Sequence, residues 1–189
     1  MIEVTIKVKE HSTDFSTSKA LSRSARYLAS KTQDRIAHGT YQQNAPLTVA
    51  LKRSSKPLAD TGLLLTSITY MTEADKAIVG TNRLGARINN EGGVLTAKKS
   101  RLWIPAQRWV KKLVMGRGTS GAFDYLKKRG SVWFTKSAVM YRTKKGKPQV
   151  VWILKKSVTI PQRRFMYMDD EDLKKIRGYF KEIIYESDT

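Results

Sequence analysis

The positive charge of this chain is confined to one stretch, and that confinement limits how the chain can fold. Between Gly92 and Arg164 there are 19 Lys or Arg against a single acid, Asp124. The rest of the 189 residues holds 17 basic and 15 acidic residues, so nearly all of the formal +20 sits in the centre. So many cations with one counter-charge cannot be packed inward, because a buried unpaired charge is prohibitively costly. The sequence therefore reads as a near-neutral globular frame around a cationic central segment. That segment also carries all four tryptophans, Trp103, Trp109, Trp133 and Trp152, and function lies in how it is displayed.

The length suits a single domain spanning 1–189 with a large cationic insertion at about 94–159. A hydrophobic content of 40% is enough for a real core. The net charge attracts polyanions, whether nucleic acid, anionic lipid or an acidic protein surface. There is no cysteine, so disulfides, thiolate zinc sites and cysteine nucleophiles are excluded. The opening residues alternate polar and apolar, unlike the apolar block of a signal peptide. No apolar run approaches the ~18 residues of a spanning helix. The expectation is a soluble chain assembled in the cytoplasm, with no membrane partner.

Ile2, Val4, Ile6 and Val8 alternate with polar residues, the period of a half-buried strand. Ser12 or Asp14 is placed to cap a helix of about Phe15 to His38, whose stripe is Leu21, Ala25, Leu28, Thr32 and Ile36. Thr40 to Asp60 is irregular around Pro46 and Pro57. Leu63 to Leu65 lead into a hairpin with Ile68, Tyr70 and Thr72 on one side, a polar tip at Glu73–Lys76 and a return over Ala77 to Gly80. Leu84, Ile88 and Glu91 sit at helical spacing in a short helix stopped by Gly92-Gly93. In the cationic segment, Arg101–Ile104 reads as a strand and Trp109 to Val114 as a helical turn. Gly116 to Gly121 reads as a flexible loop, and Phe123 to Arg129 as a short helix or turn. Strands at Val132–Phe134, Ala138–Tyr141 and Val150–Leu154 form a basic β-hairpin tipped by Lys144 to Pro148. A terminal helix, about Asp169 to Tyr185, begins with four acids where the macrodipole favours them. Ile104-Pro105 and Ile160-Pro161 echo each other as two strands leaving one sheet edge.

Nothing in these patterns assembles catalytic, cofactor or metal-binding machinery. His11 and His38 stand alone, the acid pairs are placed as helix caps rather than general acids, and the glycine-rich run lacks the Gly-Lys-Ser/Thr ending of a phosphate loop. The chain reads as a non-enzyme. Tryptophans interleaved with lysines suggest a stacking groove for single-stranded nucleic acid, yet the alternation around Trp133 and Trp152 reads as burying them. Duplex-reading motifs are missing, so DNA contact would be to the backbone and without sequence preference.

Five segments, in order, resemble the phage virion morphogenesis family, the tail-completion proteins of tailed bacteriophages. They begin at Ala45-Pro46-Leu47-Thr48-Val49-Ala50-Leu51-Lys52. Lys56-Pro57-Leu58-Ala59-Asp60-Thr61-Gly62-Leu63-Leu64 is similar to the family's pLxDTGxL signature. Ser67-Ile68 and Val79-Gly80-Thr81-Asn82 follow, and Ala86-Arg87-Ile88-Asn89-Asn90-Glu91-Gly92-Gly93 resembles YAxIhqxGG without its aromatic. Leu154 to Phe165 is close to lkkSVxIPxRxF, with Arg164 at the usual second proline. Asp60, Thr61, Gly62, Gly92, Gly93, Pro161 and Arg163 punctuate the fold in this reading.

The resemblance implies an α+β, tail-terminator-like fold, a mixed or antiparallel sheet flanked by N- and C-terminal helices with the basic hairpin inserted. It implies a structural virion protein at the neck, a ring of six copies that completes the tail and joins it to the head. Its implied partners are itself, the tail tube and sheath proteins, the head–tail connector and, without specificity, packaged DNA. Arg101, Trp103, Trp109, Trp133, Phe134 and Trp152 are the interface candidates. Lys127, Lys128, Arg129, Lys144, Lys145 and Lys147, at turn-like positions, face either the DNA channel or an acidic neighbour. The competing reading is a basic nucleic-acid-binding protein unrelated to virions.

Overall fold

A computed structural model describes residues 1–8, 15–52, 54–98 and 100–187, and it is α+β. Three separate antiparallel sheets take the place of the one sheet expected. The chain divides into two compact units, where the sequence reads as one domain with an insertion. Unit 1 is Met1–Gln42, Pro57–Gly92 and Pro161–Thr189; unit 2 is Gln43–Lys56 and Gly93–Ile160. The charge sorts with this division. Unit 2 holds 20 of the 36 Lys and Arg and one of the 16 acids, leaving unit 1 with 16 and 15.

In unit 1, β1 (Ile2–Lys7), β2 (Thr69–Thr72) and β3 (Lys76–Thr81) form a sheet ordered β1-β3-β2. Its inner face meets α1 (Phe15–His38), whose Leu21, Ala25, Leu28, Thr32 and Ile36 are all buried. On β3 the inward residues are Ala77, Val79 and Thr81, whereas Ile78 faces the other way. The capping expected of Ser12 or Asp14 lies outside the described residues. The last helix of the chain (Asp170–Ser187) packs along α1 through Ile176, Tyr179 and Ile183; Tyr27 and Tyr179 meet edge-on at 5.9 Å. Its acidic start does more than complement the macrodipole. The Asp169 and Asp172 carboxylates each accept the other's backbone N–H, at 2.9 and 3.1 Å, a reciprocal cap. Fully buried Asp172 also accepts from Arg35 and from the Tyr27 hydroxyl.

Unit 2 is not a hairpin on a loop. Its strands β5 (Leu102–Pro105), β6 (Gly130–Phe134), β7 (Ala138–Thr143) and β8 (Gln149–Lys155) form a sheet ordered β5-β8-β7-β6, bulged between Val139 and Met140. Val110, Ala122, Leu126, Val139, Tyr141, Val151, Trp152 and Leu154 make a core of its own. The glycine-rich stretch read as a loop is helical on both sides of a kink at Gly118. It belongs to the helix Arg108–Arg129, numbered α5 below after α2 (Pro46–Leu51), α3 (Leu63–Thr66) and α4 (Ala86–Glu91). The apolar stripe on either side holds that helix to the sheet, and it breaks only at Gly118, where φ is 69°. A positive φ of this kind is cheap only for glycine.

Two further strands lie outside the four-stranded sheet. β4 (Gly93–Thr96) pairs with β9 (Ser157–Ile160) as a two-stranded ribbon, with Gly93 opposite Ile160. Ile104-Pro105 and Ile160 thus lie in different sheets, and the echo between them is not a shared edge. Among the described residues no helix is long and apolar enough to cross a membrane.

Candidate interaction surface of the cationic unit

Register brings the two basic clusters of unit 2 to one place. Lys127, Lys128 and Arg129 close α5 immediately before Gly130 begins β6; Gly130 pairs with Thr143, the last residue of β7 before Lys144. The α5 terminus and the β7–β8 turn therefore meet at one end of the four-stranded sheet. All six basic candidates are exposed. With Asp124 the one acid in the unit's sequence, their charge cannot be neutralised from within it. The described ion pairs, such as Arg23–Glu182 at 2.9 Å and Arg87–Glu91 at 2.9 Å, belong to unit 1.

The aromatics divide differently from the expectation. Trp152 is fully buried; it is a core residue with no surface for a partner, which corrects its place among interface candidates. Trp133, read as buried, is 36% exposed, because it pairs with Met140 on the face turned away from α5. Trp109, 38% exposed, lies at the start of α5 with its ring 6.2 Å from that of Tyr141. Trp103 is half-buried and is the hub of a cluster. Its ring meets those of Phe123, Phe134 and Trp152 edge-on, at 5.7, 5.7 and 5.4 Å. Phe134, at the far end of β6, is 56% exposed. Arg101 Nη1 donates to the Lys136 carbonyl at 2.8 Å in the turn after Phe134.

Two features escaped the sequence reading. Tyr125 has guanidinium groups over its ring from both Arg117 (4.8 Å) and Arg129 (4.4 Å). The Lys127 ammonium lies 5.9 Å from the Phe123 ring. The i,i+4 spacing of Phe123/Lys127 and Tyr125/Arg129 was open to view in the stretch read as a short helix or turn; the Arg117–Tyr125 contact, across Gly118, was not.

The fold-punctuating residues gather in unit 1 apart from Gly93. Gly92 has φ 73°, and a side chain there would meet the Gln162 backbone nitrogen at 2.8 Å. Arg163, buried, donates its backbone N–H to Asn89 O at 2.8 Å and Nε to Gln42 O at 3.1 Å. Burial pulls its guanidinium below the usual value. Asn90, missed as a site, is buried and its Oδ1 accepts the N–H groups of Phe165 and Met166. Gly62 stands at the N-cap of α3, and its carbonyl accepts from Thr66 N. Pro161 directly follows β9. No group of three or more His, Cys, Asp or Glu among the described residues is placed to hold a metal. Comparison with protein-family models, with curated proteins and with solved structures gives no match.

Proposed function

We propose that this chain is a non-enzymatic structural protein of a phage tail, one that completes the tail and joins it to the head as a ring in the virion neck. The observation that carries the reading is how two segments of the resemblance, some 70 residues apart, engage each other. Asn89, Asn90 and Gly92 of one meet Arg163, Phe165 and Gln162 of the other through buried hydrogen bonds and a glycine-only approach. Motif residues used to hold backbone together suit an assembly protein, whose working parts are surfaces and not reacting groups.

Unit 2 supplies such surfaces. Trp109 and Trp133 present half-exposed indoles, the residue type that dominates interface energetics. The basic end of the sheet offers opposite charge to acidic tube, sheath or connector proteins, which favours encounter and register over raw affinity. Size-exclusion chromatography with light scattering, followed by negative-stain microscopy, tests the reading. Closed rings of six copies are expected. A chain that stays monomeric at all concentrations and adds to no purified tail would overturn it.

A further inference from the structure

The flank of unit 2 where α5 meets β6 combines three features that the tail reading does not require together. At one end stand Lys127, Lys128 and Arg129, joined through the Gly130–Thr143 pairing by the Lys144–Lys147 turn. At the other end is the exposed ring of Phe134, which shares the α5 side of the sheet with Val132 because their partners Val139 and Tyr141 both point there. Between them the Phe123 ring lies 5.9 Å from Phe134 and 5.9 Å from the Lys127 ammonium. β6 is the edge strand of its sheet, with no further strand paired to it. Four residue steps of strand separate the ends, about 14 Å.

We propose that this flank binds a short run of unpaired nucleotides, with a base stacked on Phe134 and the adjoining phosphates on Lys127, Lys128 and Arg129. An acidic protein would satisfy the cations but gives no role to an exposed phenyl ring backed by the rings of Trp103 and Phe123. A duplex would satisfy the cations equally and keeps its base faces covered. A single strand uses both, since every base has a π-face that an aromatic platform accepts without sequence preference. The backbone's charge answers the unit's imbalance of 20 cations to one acid. The inference stands apart from the tail reading, and each can fail alone.

The test is fluorescence anisotropy of the full chain with a labelled twelve-residue oligothymidylate, titrated with NaCl. Phe134→Leu keeps an apolar side chain and removes the π-face; it should weaken binding about tenfold or more, while Phe134→Trp restores it. The triple change of Lys127, Lys128 and Arg129 to Ser should lower the slope of log affinity against log salt by about 2. Circular dichroism checks that each variant folds, and Phe134→Trp provides a second reading should Phe134→Leu fail to. Equal affinity of wild type and Phe134→Leu would overturn the proposal. So would a blunt duplex or polyglutamate that binds as tightly as the oligonucleotide at the same salt.

Discussion

Asn90 holds Phe165 in place across 75 residues of sequence: one side-chain oxygen accepts the backbone N–H of Phe165 at 2.9 Å and that of Met166 at 2.8 Å. All three residues are buried, so the bonds have no competing water. Asn90→Leu should leave two amides orphaned and cost about 2 kcal/mol or more. Urea denaturation of the full chain measures it; a midpoint within error of wild type would refute the claim.

The pairing of α1 with the last helix, α6 (Asp170–Ser187), rests on Arg35, whose guanidinium reaches both Asp169 and fully buried Asp172. Arg35→Met removes the cation and leaves the Asp172 carboxylate buried. The expected loss is about 3–5 kcal/mol, read as a fall in thermal midpoint. The double variant Arg35→Met with Asp172→Leu should recover part of it.

The same cluster sets the pH limits of unit 1. Burial first, then the bond to Asp172, pushes the Tyr27 hydroxyl up to about 12 from 10.0; burial does the same for Tyr41. A raised folded value contributes stability that is fully present below pH 10 and is lost as pH rises toward 12. Asp169 runs the opposite way: the Asp172 backbone N–H, and then the Arg35 charge, hold its carboxyl below 3.8. Its contribution is present above that value and fades as pH falls further. Denaturation midpoints from pH 3 to 11.5 should form a plateau with losses at both ends, and Tyr27→Phe should flatten the alkaline one.

Gly116 and Gly118 are two residues apart in α5 and should respond with opposite sign. Neither has an atom within 4 Å of a would-be side chain, so backbone conformation alone decides. At Gly116, helical, alanine should stabilise by up to about 1 kcal/mol. At Gly118, with φ 69° and ψ 172°, a region close to glycine-only, alanine should destabilise by about 1–3 kcal/mol. Melting both variants by circular dichroism checks the pair.

Unit 2 repels itself, and salt should relieve it. Raising NaCl from 0.02 to 0.3 M shortens the screening length several-fold, and the thermal midpoint of the chain should rise. Changing Lys144, Lys145 and Lys147 to Ser should raise the low-salt midpoint and reduce the salt response. A midpoint indifferent to salt in wild type would show that the cations lie too far apart to interact.

How much of this was legible in the chain depends on the range of the forces involved. The α1 stripe from Leu21 to Ile36, the strands at Ile2–Lys7 and Gln149–Lys155 and the acidic start of the last helix follow from periodicity and propensity, which act within a few residues. The concentration of charge is likewise a property of sequence. Unit 2 also takes in Gln43–Lys56, a piece that the boundary in charge does not mark. What tertiary structure decided is whatever depends on a distant partner. Gly93–Thr96 has no strong strand signal and becomes a strand because Ser157–Ile160 pairs with it. Gly116–Gly121, flexible on composition, is helical on either side of Gly118 because Val110 and Leu126 flanking it sink into the sheet. Trp133 and Trp152 look alike in sequence, yet register turns one outward and seals the other in, since a strand's two faces differ only in what covers them. The candidate site belongs to that second kind. Each lysine and each aromatic was in view, but only the Gly130–Thr143 pairing and the packing of α5 on β6 place them along one flank.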